Sequence, residues 1–479
     1  MAPAARKGLG RLTRDVREFL LVRRIVNLRG FQFLVVLPTT AVVTVVTISA
    51  AVGILHPSFN FGTVFTWVVW WGALLASFVV FGRAWCLICP VGAVGEWIQR
   101  LSLWWRSPYT AGLQLRWPRR LRNLWLATAL FMVFVWLDNG YGMSNSPRLT
   151  AGLIVVLTLA SAWIGLFFER RAFCRYLCPL TAFIGLNSLF SMFELRRQDA
   201  GTCRARCASK DCFRGNTQAY GCPMGEFPAV MDSNLHCILC TECVKSCAHN
   251  NLALRFRPPG RDLWTSRRPR LDEAVAAAVV VGMATILPVL TLALLPGLRA
   301  ILAGVLPAGS PPNDAPRLVA VGLLFVLGAL VSVGVMYAFG RGAGWAAGAA
   351  TGGRALFAGC AQALIPVGLF KFLADLLDHG LRTWGAVFDV TRALLLDFPW
   401  NRAVPGRVTV VHLLTPAKVY LIQIGLVFCG LLFSLYAMHR VSRDLLGDRE
   451  AAFAAFLPMA GLAFLLTLLN LWSLAVGLL

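Results

Sequence analysis

Nine stretches of about twenty mostly apolar residues recur along the chain, at 31–55, 61–82, 123–140, 149–168, 274–296, 318–340, 355–378, 417–438 and 452–475. A helix needs about 20 such residues to cross a bilayer, because backbone polar groups in lipid must be satisfied within the segment itself. The pattern predicts an all-α polytopic membrane protein with about nine transmembrane helices. A soluble globule is excluded: 58% of the 479 residues are apolar and 14% are charged, too little polar surface to cover the chain.

The formal charge is +23, from 45 basic and 22 acidic residues. Nucleic acid is not the expected partner, since the basic residues cluster in short segments beside apolar stretches, which is how membrane proteins fix their orientation. Anionic membrane lipid is the expected contact. The run Arg6, Lys7, Arg11, Arg14, Arg17, Arg23, Arg24 and Arg29 leads to no small-residue cleavage site, so residues 1–30 read as a basic cytoplasmic segment. With that end inside, the loops 83–122, 169–273, 341–354 and 439–451 are cytoplasmic. They hold Arg116, Arg119, Arg120, Arg122, Arg170, Arg171, Arg267, Arg268, Arg270, Arg440 and Arg443. This placement obeys the positive-inside rule; the cytoplasmic (inner) membrane of a bacterium is the expected location. The stretch 379–416 fits less well, because Arg382, Arg392, Arg402 and Arg407 then fall outside.

The longest loop carries eight cysteines. Cys237-x2-Cys240-x2-Cys243-x3-Cys247 has the spacing of the ligand run of a bacterial [4Fe–4S] ferredoxin. Upstream lies Cys203-x3-Cys207-x4-Cys212-x9-Cys222-Pro223. The fourth cysteine of such a run usually serves the other cluster. The crossed reading therefore gives Cys203, Cys207, Cys212 and Cys247 to one cluster, and Cys222, Cys237, Cys240 and Cys243 to the other. An uncrossed assignment stays open. So does zinc, which accepts four thiolates but seldom in this spacing. Basic, inside-type surroundings speak for reduced thiolates rather than disulfides. Residues 199–262 thus read as an inserted cytoplasmic two-cluster ferredoxin-like domain. It separates a four-helix membrane domain (31–198) from a C-terminal membrane domain of about five helices (263–479).

The first membrane half repeats itself. Arg83-Ala-Trp-Cys86-Leu-Ile-Cys89-Pro90 follows the second stretch, and Arg171-Ala-Phe-Cys174-Arg-Tyr-Leu-Cys178-Pro179 follows the fourth. Two hairpins delivering the same motif to the same face predict a parallel repeat about an axis normal to the membrane. Cys86, Cys89, Cys174 and Cys178 are candidates for a further metal or redox site. The blander alternative has them as buried thiols packing the hairpin ends, with each proline starting the next helix.

On these motifs the chain resembles the membrane polyferredoxins of the NapH, NosR and CcoG type, over about residues 31 to 260. The resemblance implies transmembrane hairpins with two Cys-x3-Cys-Pro motifs, a two-cluster ferredoxin domain, and electron transfer. Cys174-x3-Cys178-Pro179 matches the motif, whereas Cys86-x2-Cys89-Pro90 is one residue short. NapH-like members relay quinol electrons to a periplasmic reductase; NosR-like and CcoG-like members serve metalloenzyme maturation or copper reduction.

In the second half, Lys371, Asp375 and His379 recur every four residues and so share one helix face, expected near the outer end of its span. Ionisable groups at membrane depth are functional candidates. Histidine to hydrogen-bond a quinone oxygen and aspartate to take a proton make this face a candidate quinone or quinol site. The alternative is a lysine–aspartate pair satisfying itself. A b-type haem would need facing histidines such as His379 and His412, and is disfavoured. His236 and His249 read as solvated loop residues flanking the cysteines, His439 as interfacial, and Cys360 and Cys429 as core. Segment 380–400, with Trp384, Phe388, Leu394 and Phe398, reads as amphipathic and lying on the outer surface. Gly340, Gly342, Gly344, Gly352 and Gly353 mark close helix packing.

The chain shows no catalytic triad or phosphate-binding loop. It reads as a non-catalytic electron-transfer subunit working between the quinone pool and other oxidoreductase subunits, periplasmic or cytoplasmic iron–sulfur or cytochrome proteins. The alternative is a maturation or copper-reducing factor for a respiratory metalloenzyme.

Overall fold

The structure, a computed structural model, describes residues 20–28, 30–100, 112–265, 270–306, 314–348, 353–402 and 414–476. Arg6, Lys7, Arg11, Arg14, Arg17, Arg29, Arg267, Arg268, Gly352, Arg407 and His412 lie outside the described residues.

Apolar stretches of the expected lengths form helices throughout. In chain order these are α1 (Phe31–Val52), α2 (Phe61–Val80), α3 (Pro90–Arg100), α4 (Trp125–Tyr141), α5 (Pro147–Phe167) and α6 (Leu180–Asn187). After the cysteine-rich segment come α7 (Leu271–Ala303), α8 (Ala315–Ala346), α9 (Gly353–Ala363), α10 (Ile365–Leu396), α11 (Pro416–Leu446) and α12 (Arg449–Val476). Among the described residues eight segments are long and apolar enough to cross a bilayer: α1, α2, α5, α7, α8, the run Gly353–Leu381, α11 and α12. The ninth expected span is α4, whose 17 residues stand at the short end of what a crossing requires. The chain is a multi-pass, all-α membrane protein.

Small residues set the packing of the second half. A Cβ on Gly282 of α7 would lie 1.8 Å from the Ser332 hydroxyl of α8, so these helices meet where the side chain is missing. Gly340 likewise lies against the Phe357 backbone of α9. The glycine-rich region therefore packs on its own neighbour. Residues 380–396 continue α10 as one helix instead of forming a separate surface element, because no glycine or proline pair interrupts the helical run.

The cysteine-rich segment is closed at its base by an antiparallel ribbon, β1 (Phe193–Arg197) and β2 (Leu252–Phe256), in register from Phe193↔Phe256 to Arg197↔Leu252. A buried charge network fastens the ribbon. Asp262, 1% exposed, pairs with Arg257 and accepts from Arg196 at 2.9 Å and from the Asn234 backbone N–H at 2.7 Å. Glu194 pairs with Arg257 at 3.4 Å. Removing one member of a buried pair leaves charge uncompensated, which costs about 3–5 kcal/mol. Asp262→Asn is accordingly expected to lower the thermal unfolding midpoint in detergent, and an unchanged midpoint would contradict the role given to the network.

Candidate functional site

The crossed ligand pattern expects the eight cysteines of the loop in two groups. Asn251 fixes the first from both sides: its side-chain amide donates to Cys203 Sγ at 3.2 Å and its backbone N–H to Cys247 Sγ at 3.3 Å. Burial, and then the neighbouring Cys247, Cys207 and Cys203, push the Cys212 thiol up to about 12. In the second group, burial and then Cys222, Cys240 and Cys237 push the Cys243 thiol up. The local reason for the wrap is backbone twist. Leu239 and Thr241, between the cysteines of the run, both take left-handed conformations (φ 54° and 60°), which turn the chain after each step. Such angles are uncommon outside glycine and cluster at functional sites.

A third group lies where the two membrane hairpins end. In the first motif Trp85–Ile88 forms one α-turn; in the second Phe173–Leu177 forms a π-turn, closed by the Cys178 N–H donating to the Phe173 carbonyl at 2.8 Å. A π-turn holds one residue more than an α-turn. The unequal spacings, Cys86-x2-Cys89 and Cys174-x3-Cys178, therefore deliver their sulfurs to one place. Burial, and then Cys86 and Cys89, push the Cys178 thiol up to about 12. Burial pushes Cys174 up as well, with Cys178, Cys89 and Cys86 adding to it against the pull of Arg171. Cys89 sits just ahead of α3 and is raised by burial and Cys86, while the Gly92 and Val91 N–H groups at the helix start favour its thiolate.

The motif arginines cross over. Arg83 of the first repeat donates to the Cys174 carbonyl at 2.7 Å, and Arg171 of the second donates to the Cys86 carbonyl at 2.6 Å. This reciprocal exchange is what a parallel repeat about a normal axis produces. The site is also cut to size: a Cβ on Gly92 would stand 2.6 Å from Cys174 Sγ. Arg83, Arg171, Glu96, Gly92 and Asn251 were not singled out from sequence as site residues, although the two arginines open the repeated motif.

The three groups adjoin one another. Cys212 and Cys243 share a buried apolar cluster, with Cys237 and Cys247 packed against it. Cys240 and Cys174 share a second one with Leu87, Phe173, Met224 and Ile238, against which Cys86, Cys178 and Cys222 pack. Cysteines of the middle group thus share one apolar cluster with each of the other two groups.

Thiols pushed up by burial, as Cys174, Cys178, Cys212 and Cys243 are, persist as thiolates only beside positive charge, which bound iron would supply. Buried donors without partners point the same way: Arg83 Nε and an Arg171 terminal nitrogen. Among the described residues no three His, Cys, Asp or Glu side chains converge tightly enough for a single ion. Zinc needs every sulfur about 2.3 Å from one centre. A cubane spreads its ligands, one to each of four irons, and suits these looser tetrads. Gly92→Ala should displace Cys174 and remove about four irons per chain, read by iron assay. An unchanged iron content would sink the assignment.

Other residues differ from expectation. His236 is not solvated: burial, and then Arg175 and Arg83, hold its imidazole neutral, and its Nδ1 is buried. His249 is exposed. Cys360 is core, but Cys429 faces outward, because sequence spacing alone does not tell which face of α11 meets its neighbours. Lys371, Asp375 and His379 do share a face of α10, beside residues that pack on α2 and α6. Phe372 meets Phe183 at 5.2 Å and Leu376 lies against Gly72, in the middle of α2. Lys371 is buried and pairs with Asp375, as the bland alternative has it, while Asp375 is half exposed and His379 exposed.

The profile of the 4Fe–4S binding domain matches residues 63–108 and 150–193, that is, the two hairpins with their Cys-Pro motifs. Over 202 residues the chain is 30% identical to YccM of Escherichia coli (strain K12), which carries a provisional assignment to electron transport; the match covers 36% of this chain and 52% of that protein. It is 32% identical over 154 residues to the methylamine utilization ferredoxin-type protein MauN of Paracoccus denitrificans (strain Pd 1222), covering 28% of this chain and 53% of that protein. The chain spans about half the length of these relatives. No solved structure matches it.

Proposed function

We propose that this chain, which is similar to membrane-type polyferredoxins and has an iron–sulfur electron-transfer role, relays single electrons between quinol in the bilayer and a partner oxidoreductase subunit. The relay uses three thiol tetrads: Cys86, Cys89, Cys174 and Cys178 at the membrane face, Cys222, Cys237, Cys240 and Cys243 in the middle, and Cys203, Cys207, Cys212 and Cys247 outermost. The observation that supports this reading is that cysteines of the middle set share an apolar cluster with cysteines of each other set. A [4Fe–4S] cluster, when bound, supplies reversible one-electron chemistry. The protein supplies thiolates, N–H donors and exclusion of water.

The quinol site we assign to the exposed side of Lys371, Asp375 and His379. Aspartate and histidine are exposed on this face, where a diffusing quinol meets them directly, and buried Lys371 holds Asp375 in place. Packed rings lie between this face and the membrane tetrad: Trp85–Trp70 at 6.0 Å, Trp70–Trp71 at 6.1 Å, Trp71–Phe183 at 5.7 Å and Phe183–Phe372 at 5.2 Å. His379→Leu is expected to raise the KM for a quinol analogue about tenfold through loss of one hydrogen bond, with iron content unchanged. A KM that stays put would remove His379 from the site.

The maturation reading makes the Cys-Pro thiols handle copper as cargo. Enclosure of Cys174 and the crossed arginine bonds favour a resident centre over an ion that enters and leaves. Anaerobic protein should show quinol-reducible low-temperature EPR signals. Signals that appear with dithionite but never with quinol would overturn the quinol link.

A further inference from the structure

The repeat that builds the membrane tetrad is symmetric in its cysteines and arginines but not in its acids. Six residues after the motif proline, the first repeat carries Glu96 and the second Gly185. Glu96 pairs with Arg171 at 2.7 Å, so the second repeat's arginine is neutralised. Arg83, its counterpart, is 1% exposed and bonds only neutral acceptors: the Leu235 carbonyl at 2.9 Å, the Cys174 carbonyl at 2.7 Å and the Thr181 hydroxyl at 3.4 Å. Among the described residues no carboxylate forms an ion pair with it; Glu226, which feels its charge, is paired instead with Arg175 at 2.6 Å. Gly185 packs tightly against it, since a Cβ there would lie 2.8 Å from the Leu235 carbonyl oxygen and 3.3 Å from Arg83 Nη1, so the position has no room for an acid. A buried cation without an anion costs several kcal/mol. The fold tolerates it where a permanent negative charge stands close, and four thiolates around iron carry one.

We infer that Arg83 is the charge that sets the reduction potential of the membrane centre, its uncompensated guanidinium favouring the reduced state so that electrons collect at the membrane face. This rests on the reading of Cys86, Cys89, Cys174 and Cys178 as a [4Fe–4S] site. Reduction adds one electron and one negative charge to that centre, drawn one for one from the middle centre or from quinol, with no bond made or broken. Arg83 lowers the energy of the added charge, and its Nε–H is buried without a hydrogen-bond partner. Glu96 works in the opposite direction, and the missing acid at position 185 leaves the balance positive.

The test is an EPR-monitored redox titration of the full chain in lipid nanodiscs, with iron content measured on each sample. Arg83→Gln, which keeps donors and removes charge, should lower the reduced-to-oxidised ratio of the membrane centre about tenfold at fixed potential, equivalent to about 59 mV for a one-electron couple. Arg83→Lys should restore most of that shift. Glu96→Gln should move the same centre the other way, and it carries the test if Arg83→Gln fails to load iron. The outermost centre should not move in any variant. Full iron content with an unmoved membrane centre in both charge variants overturns the inference while leaving the three-centre reading standing. Wild-type protein with about eight irons and only two centres overturns both.

Discussion

Replacing Cys174 and Cys178 together by serine is expected to abolish quinol-driven reduction of every centre while leaving the two outer centres fully reducible by dithionite. The reason is order. In the proposed order the membrane tetrad stands between the Phe183 ring contacts and the middle tetrad, so its loss removes the step between them. About four irons per chain should be lost and about eight kept. The hairpins should persist, since α2 and α5 are held by their own apolar packing. Quinol that still reduces the outer centres would show that electrons enter elsewhere.

The complementary prediction cuts the row at its middle. Cys243→Ser should leave the membrane centre reducible by quinol and strand the outermost one, so that only dithionite reaches it. Its structural cost should also be the greater. Cys243 is buried in the cluster that holds Leu195, Cys212, Leu239, Val244 and Leu252, and loss of iron there loosens both the wrap and the β1–β2 ribbon. A protease-sensitive loop 199–262 with an intact membrane half is the expected outcome in limited proteolysis. If both variants behave alike, the centres do not act in series.

Much of this was legible in the chain, for identifiable reasons. Membrane spans show because lipid forces about twenty apolar residues into one run. The cysteine run 237–247 shows because a cubane dictates short, fixed ligand steps. What stayed hidden depends on turn geometry and on which faces meet. The spacing Cys86-x2-Cys89 sets the first motif apart from the second until the π-turn at Phe173–Leu177 accounts for the additional residue. The crossed bonds of Arg83 and Arg171 join residues nearly ninety positions apart, which no local pattern encodes. The extent of α10 was hidden as well: the helix runs on to Leu396, well past the expected end of the span at 378. His236 and Cys429 were misread for one shared reason: burial of a single residue is a property of its neighbours in space.

The most direct test of the relay is iron quantitation with low-temperature EPR on anaerobically purified protein, before and after a quinol analogue. Three centres with about twelve irons per chain, the membrane centre reduced first by quinol, is the predicted result. About eight irons with two signals that ignore quinol would contradict it, and zinc in place of iron would end the electron-transfer account altogether.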